Sequence, residues 1–155
     1  MQSLSTHVGR WTGTNAFRLM PADPPHIAAA TADVASVAAG NLTAIAYAWS
    51  HPADGAQDGL LVIGPSEEER GAIAFWGDSW HQSPRPTLLS GGFLDDRLVV
   101  SYEYGGEWRW QIIVDATIPD SLRLSMENVV PESAATDAVA PGAYVAMLAD
   151  LRRQT

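Results

Sequence analysis

The chain contains no cysteine and no lysine. Without thiols there are no cysteine nucleophiles, disulfides, zinc knuckles or cysteine-ligated iron–sulfur clusters, and the redox compartment stays undetermined. All nine basic residues are arginine, so the chemistry that needs an amine is excluded: the Walker phosphate grip, Schiff bases and the kinase-type lysine. Long apolar runs are missing as well. No stretch reaches the about 18 consecutive apolar residues of a membrane-spanning helix, and residues 1–8 lack the basic start and apolar centre of a secretory leader. A cytoplasmic address with no membrane partner is the expectation. Positive charge is scarce: 18 acidic side chains against nine basic ones leave a net charge of −9 and a pI near 4.6. Such a surface repels nucleic-acid backbones.

What remains is 155 residues, 46% of them hydrophobic, with six tryptophans. That length predicts one domain over residues 1–155 with a core of its own. Most segments alternate apolar and polar residues with period two and are separated by Gly, Pro, Asp or Asn clusters, the pattern of short antiparallel strands. Roughly ten strands fit this template, over residues 9–19, 27–38, 42–50, 59–64, 72–81, 87–93, 97–104, 108–116, 122–129 and 142–152. The alanine-rich run at 28–39 keeps an extended reading through Thr31, Val34 and Val37. The last segment also fits a short helix, because Tyr144, Met147, Leu148 and Leu151 recur at helical spacing.

From Arg97 to Val129 the two faces separate cleanly. Leu98, Val100, Tyr102 and Tyr104 share one side, followed by Trp108, Trp110, Ile112 and Val114, then Leu122, Leu124, Met126 and Asn128, while Arg109, Gln111, Arg123, Ser125 and Glu127 point away. A meander with one buried face removes its exposed edges by closing. The expectation is therefore an all-β, roughly ten-stranded, antiparallel up-and-down barrel. A two-sheet sandwich is the competing architecture, but it calls for longer crossovers than these short connections.

The string Gly9-Arg10-Trp11-Thr12-Gly13-Thr14-Asn15 resembles the Gly-x-Trp first strand of calycins, the superfamily of lipocalins and fatty-acid-binding proteins. With Tyr47-Ala-Trp49, Gly59-Leu-Leu-Val-Ile-Gly64, Asp78-Ser-Trp-His-Gln-Ser83 and Met126-Glu-Asn-Val-Val-Pro131, the chain resembles a bacterial family of small barrels of the fatty-acid-binding-protein type. The resemblance covers about residues 9–153. It implies the barrel, a Trp11 that closes one end under Arg152 or Arg153, and no particular activity. Nitrobindin-like haem barrels share a similar opening, but they ligate haem through a histidine near the C-terminus. The histidines here are His7, His26, His51 and His81, so no cofactor carries over. Fatty-acid binders also have a helical lid after the first strand, for which residues 21–38 are too short and proline-broken.

The densest run of polar and aromatic side chains is Trp76-Gly-Asp-Ser-Trp-His81. Strict alternation places Trp76, Asp78 and Trp80 on one face and Gly77, Ser79 and His81 on the other, unless a bulge near Gly77 intervenes. Asp78 among tryptophans is either a carboxyl kept protonated by desolvation and able to donate a proton, or a hydrogen-bonded structural group. His81 is either a cavity base or a ring satisfied by loop carbonyls. Ser79 and Ser83 flank it without a Gly-x-Ser-x-Gly elbow, so no hydrolase triad is assigned. No histidine or carboxylate spacing indicates a metal.

The expected ligand-binding set is Tyr47, Trp49, Trp76, Asp78, Trp80, His81, Tyr102, Tyr104, Trp108, Trp110, Met126 and Asn128. Phenols, indole donors and an amide on a buried face each require a partner or cost about 1–3 kcal/mol, which favours a cavity lining over a solid core. Three functions compete. The first is binding of a small hydrophobic or amphipathic molecule in an elongated pocket with a polar focus at His81, Asp78 and Asn128. The second is an isomerase- or cyclase-type enzyme with Asp78 or His81 as acid or base. The third is a scaffold marked by an exposed apolar patch. A second copy of the chain, as a homodimer, is the macromolecular partner kept open.

Overall fold

The computed structural model describes residues 2–155 and the side chains from Leu4 onward. After a short turn of helix, α1 (Gln2–Ser5), come ten strands: β1 (Gly9–Phe17), β2 (His26–Val37), β3 (Leu42–His51), β4 (Gly55–Pro65), β5 (Gly71–Asp78), β6 (Gln82–Leu94), β7 (Arg97–Gly105), β8 (Trp108–Asp115), β9 (Ser121–Val130) and β10 (Gly142–Arg153). Each strand pairs antiparallel with its sequence neighbour, and β10 pairs with β1 to close the barrel. The sandwich alternative is thereby set aside. Among the described residues no helix is long and apolar enough to cross a membrane.

Two departures from simple alternation matter. β10 is a strand, and its register with β9 shifts between Val145 and Met147. One extra residue there separates the inward Tyr144 and Met147 by three positions instead of two, which is why the sequence also reads as a helix. β5 ends at Asp78, earlier than the strand expected over 72–81. Its register with β6 shifts between Trp76 and Asp78, so residues 79–81 form a turn and alternation does not govern Trp80 or His81.

The interior is layered along the barrel axis. One row of register partners crosses four strands as Leu98, Val114, Leu124 and Ala149, and the next as Val100, Ile112, Met126 and Met147. All eight are buried. The third row, Tyr102, Trp110, Asn128 and Tyr144, is half-buried and polar-tipped. The barrel is thus packed solid over its lower rows and changes character at one end.

A different row explains the alanine-rich strand. Arg153, Trp11, Ala32, Tyr47, Gly59 and Asp78 follow one another in register across six strands. Small inward residues such as Ala32 and Gly59 alternate with Trp11 and Tyr47, leaving room for the rings. At the closed end the Trp11 indole donates to the His7 carbonyl at 2.9 Å and stacks on the His7 ring. Arg153 covers the other side, with its guanidinium 4.5 Å from the Trp11 ring centroid. It also donates to Val8 O, Thr6 O and Asp120, which fixes Arg153 rather than Arg152 as the cation over Trp11.

The outer surface is uneven. Arg109, Asp115, Arg123 and Glu127 line the outside of β8 and β9, with Arg123 paired to Asp150. On β4 to β6 the outward residues are apolar: Leu60, Ile73, Phe75 and Leu88 are 40%, 45%, 42% and 65% exposed.

Candidate functional site

The site at the open end is organised by the turn after β5. Asp78 is buried, with its two oxygens fully engaged. Oδ1 accepts the backbone N–H groups of Trp80 and His81, both at 2.8 Å. Oδ2 accepts the Tyr47 hydroxyl at 2.7 Å and the Trp49 indole at 3.2 Å. The Trp76 indole donates to the Tyr47 hydroxyl oxygen at 2.9 Å, so the phenolic proton is directed at Asp78. Four donors converge on one carboxylate, which suits an ionised group that can only accept. Burial, followed by the Asp78 charge, pushes the Tyr47 phenol well above its ordinary value, so it keeps that proton.

By gripping the turn, Asp78 sets Trp80 and His81 against the rings below. The His81 ring stacks on Trp49 at 5.0 Å between centroids and lies 5.1 Å from Trp110. Trp80 stacks on His51 at 4.6 Å, and Phe17 meets Trp49, His51, Trp80 and His81 within one aromatic cluster. The His51 Nδ1 accepts backbone N–H bonds from Ala53 and Asp54. That makes it the acceptor nitrogen, so the nearby Asp54 carboxylate at 3.2 Å is not its hydrogen-bond partner. Asp54 accepts instead from the Trp80 indole at 2.8 Å.

Above these rings lies a cavity of about 250 Å³, lined by Phe17, Arg18, Leu19, Trp80, His81, Tyr102, Tyr104, Trp110, Asn128, Tyr144 and Ala146. It is smaller than the about 300–1,000 Å³ of drug-sized ligand sites and is a cup at the mouth, not an elongated lumen. Its hydroxyls form a chain: Tyr104 donates to Asn128 Oδ1, Asn128 Nδ2 donates to the Tyr144 hydroxyl, and Tyr144 donates to Leu19 O. Tyr102 donates to Gln82 Oε1. Two ring nitrogens of wall residues, His81 Nε2 and Trp110 Nε1, are buried away from the cavity with no hydrogen-bond partner among the described residues. Burial first, with His51 adding to it against the pull of Asp78, lowers the His81 pKa to about 4, so the ring is neutral at physiological pH.

Of the residues expected to bind ligand, Trp80, His81, Tyr102, Tyr104, Trp110 and Asn128 lie on the cavity wall. Tyr47, Trp49, Trp76 and Asp78 form the sealed hydrogen-bond network beneath it, and Met126 belongs to the packed rows. Trp108 is half-buried near Tyr104, outside the lining. Asp78 is therefore not part of the polar focus expected with His81 and Asn128. The sequence reading did not assign Phe17, Arg18, Leu19, Tyr144 or Ala146 to the site. The inward parity of Trp11, Asn15 and Phe17 was the available signal for Phe17.

A second depression of about 870 Å³ lies at the closed end, lined by residues that include His7, Arg70, Phe93, Asp96, Asp120 and Arg153. Its arginines are paired, Arg70 with Asp96 and Arg153 with Asp120. Deep in the barrel, Asn15 is fully buried and neither end of its amide finds a partner among the described residues. Among the described residues no group of three or more His, Asp or Glu side chains comes together to hold a metal. No family model and no curated protein matches the chain.

Proposed function

We propose that the barrel binds a small amphipathic molecule in the cup at its open end. One observation carries this reading: the open end holds a cavity of about 250 Å³ walled by Phe17, Trp80, Tyr102 and Trp110, with Arg18 as its charged residue. The aromatic wall supplies apolar contact and the Arg18 guanidinium supplies orientation. The Gly9-x-Trp11 strand with Arg153 over the indole supports reading the barrel as calycin-like, a fold architecture that suits internal ligands.

The isomerase- or cyclase-type alternative loses one of its two candidates. Asp78 has donors on both oxygens and lies under the cup, so an acid–base role would fall to His81 alone. A screen of small aromatic and amphipathic compounds tests the binding reading. At least one class is expected to raise the thermal midpoint of the native chain and lose that effect in Trp110→Ala. Compounds that leave the midpoint unchanged throughout overturn it.

A further inference from the structure

We infer that the ligand of the cup is a small aromatic carboxylate, with its carboxylate at Arg18 and its ring against Phe17, Trp80 and Trp110. This rests on the binding reading above and narrows it. Arg18 is the charged residue on the cup wall, and no Asp or Glu lines the cavity. Arg10, Arg70, Arg123, Arg152 and Arg153 are each paired with an aspartate. Arg18, like Arg85, Arg97 and Arg109, is in no ion pair among the described residues, and of these four it is the one on the cup wall. Its Nε donates to Val145 O at 2.8 Å and its Nη1 to Pro21 O at 2.7 Å, which fixes the guanidinium between neutral carbonyls without balancing its charge. A held, uncompensated guanidinium in a chain of net charge −9 is a place for an anion.

The rest of the cup sets the shape. Phe17, Trp80, Tyr102 and Trp110 present rings, which favour a flat partner. The tyrosine and asparagine groups are already bonded within the chain, which leaves the Arg18 guanidinium as the polar anchor for a ligand. The cavity volume of about 250 Å³ suits a single ring better than a long acyl chain.

Calorimetric titration with para-hydroxybenzoate, benzoate and methyl para-hydroxybenzoate tests this. Both acids are expected to bind at least about tenfold more tightly than the ester. Arg18→Gln should weaken both acids and leave the ester unchanged. Acid and ester binding alike, or weakening equally in Arg18→Gln, overturns the anion assignment while binding itself stands. Failure of all three probes together with a silent compound screen overturns both.

A separate observation points to self-association. We propose that the outward face of β4 to β6 is the contact between two copies of this chain. Register places Phe75 between Val62 and Leu88, with Leu60 and Ile73 beside them. At about 200 Å² for a large side chain, the four exposed apolar residues offer about 400 Å² at their observed exposures. Apolar atoms make up about 60% of an interface, so this patch corresponds to about 650 Å² per partner, at the lower end of the about 600–1,000 Å² of a stable pair. Asp58 borders the face on β4, and copies with a charge of −9 approach most easily where charge is absent. Sedimentation equilibrium should show a dimer that strengthens with salt, as repulsion is screened, and that Phe75→Glu and Leu88→Glu reduce to monomer with unchanged circular dichroism. A monomer at every concentration, including one that binds vesicles or another protein instead, or a dimer indifferent to both substitutions, overturns it.

Discussion

The Tyr47 hydroxyl reaches Asp78 by passing over Gly59, the residue that lies between them in register on the intervening strand. A Cβ at residue 59 would overlap the Tyr47 ring. Gly59→Ala is therefore expected to lower stability by about 1–3 kcal/mol through overpacking, read by urea denaturation. Because Tyr47→Phe removes the same hydrogen bond, the double variant should cost less than the sum of the singles. Full additivity would show that the glycine serves something else.

Asp78→Asn separates a structural carboxylate from a catalytic one. An amide turns one of the two acceptor oxygens into a donor group, which then faces N–H or O–H donors. A loss of about 3 kcal/mol or more is expected, as for a broken buried network, together with weaker binding in the cup as the Trp80–His81 turn loosens. A variant with native stability would refute the structural role.

His81 predicts a pH dependence. Its pKa lies near 4 in the folded chain, below the 6.5 of an unhindered ring, so between those values the unfolded state binds the extra proton. The contribution of His81 is complete above about pH 6.5 and is lost as pH falls toward 4, amounting to about 3 kcal/mol at most. Denaturation midpoints across this window should fall more steeply for the native chain than for His81→Gln. Parallel slopes would assign the acid sensitivity to other groups.

Asn15 offers a gain. Its amide sits opposite Ala28 and Ala149 with no partner among the described residues for either end. Replacing an unsatisfied polar side chain by an apolar one of similar size removes a desolvation cost. Asn15→Leu should raise the thermal midpoint by the equivalent of about 1–2 kcal/mol. A lowered midpoint would mean that the amide has a partner of its own, such as an ordered water.

The strands and the barrel were legible because period-two alternation survives wherever one face is buried, as in Leu98, Val100 and Tyr102. Alternation failed where the chain inserts residues. The shift in β10 disguised Tyr144, and the turn after Asp78 brought Trp80 and His81 to one cavity although their parity is opposite. Tyr47, Trp49 and Trp76 were recognisable as buried polar-tipped rings, but only register shows that they converge on Asp78 instead of on a ligand. Arg18 was invisible for a different reason. Its role depends on having no acidic neighbour, a property of arrangement in space that local sequence does not encode.

Among the described residues, the packed rows beneath Tyr102 and Trp110 floor the cup, which opens at the end of the barrel. Whatever enters must leave by the same route, past Leu19, Tyr104 and Tyr144. Because the same three side chains line the cup, substitutions at those positions should change arrival and departure rates and the affinity as well.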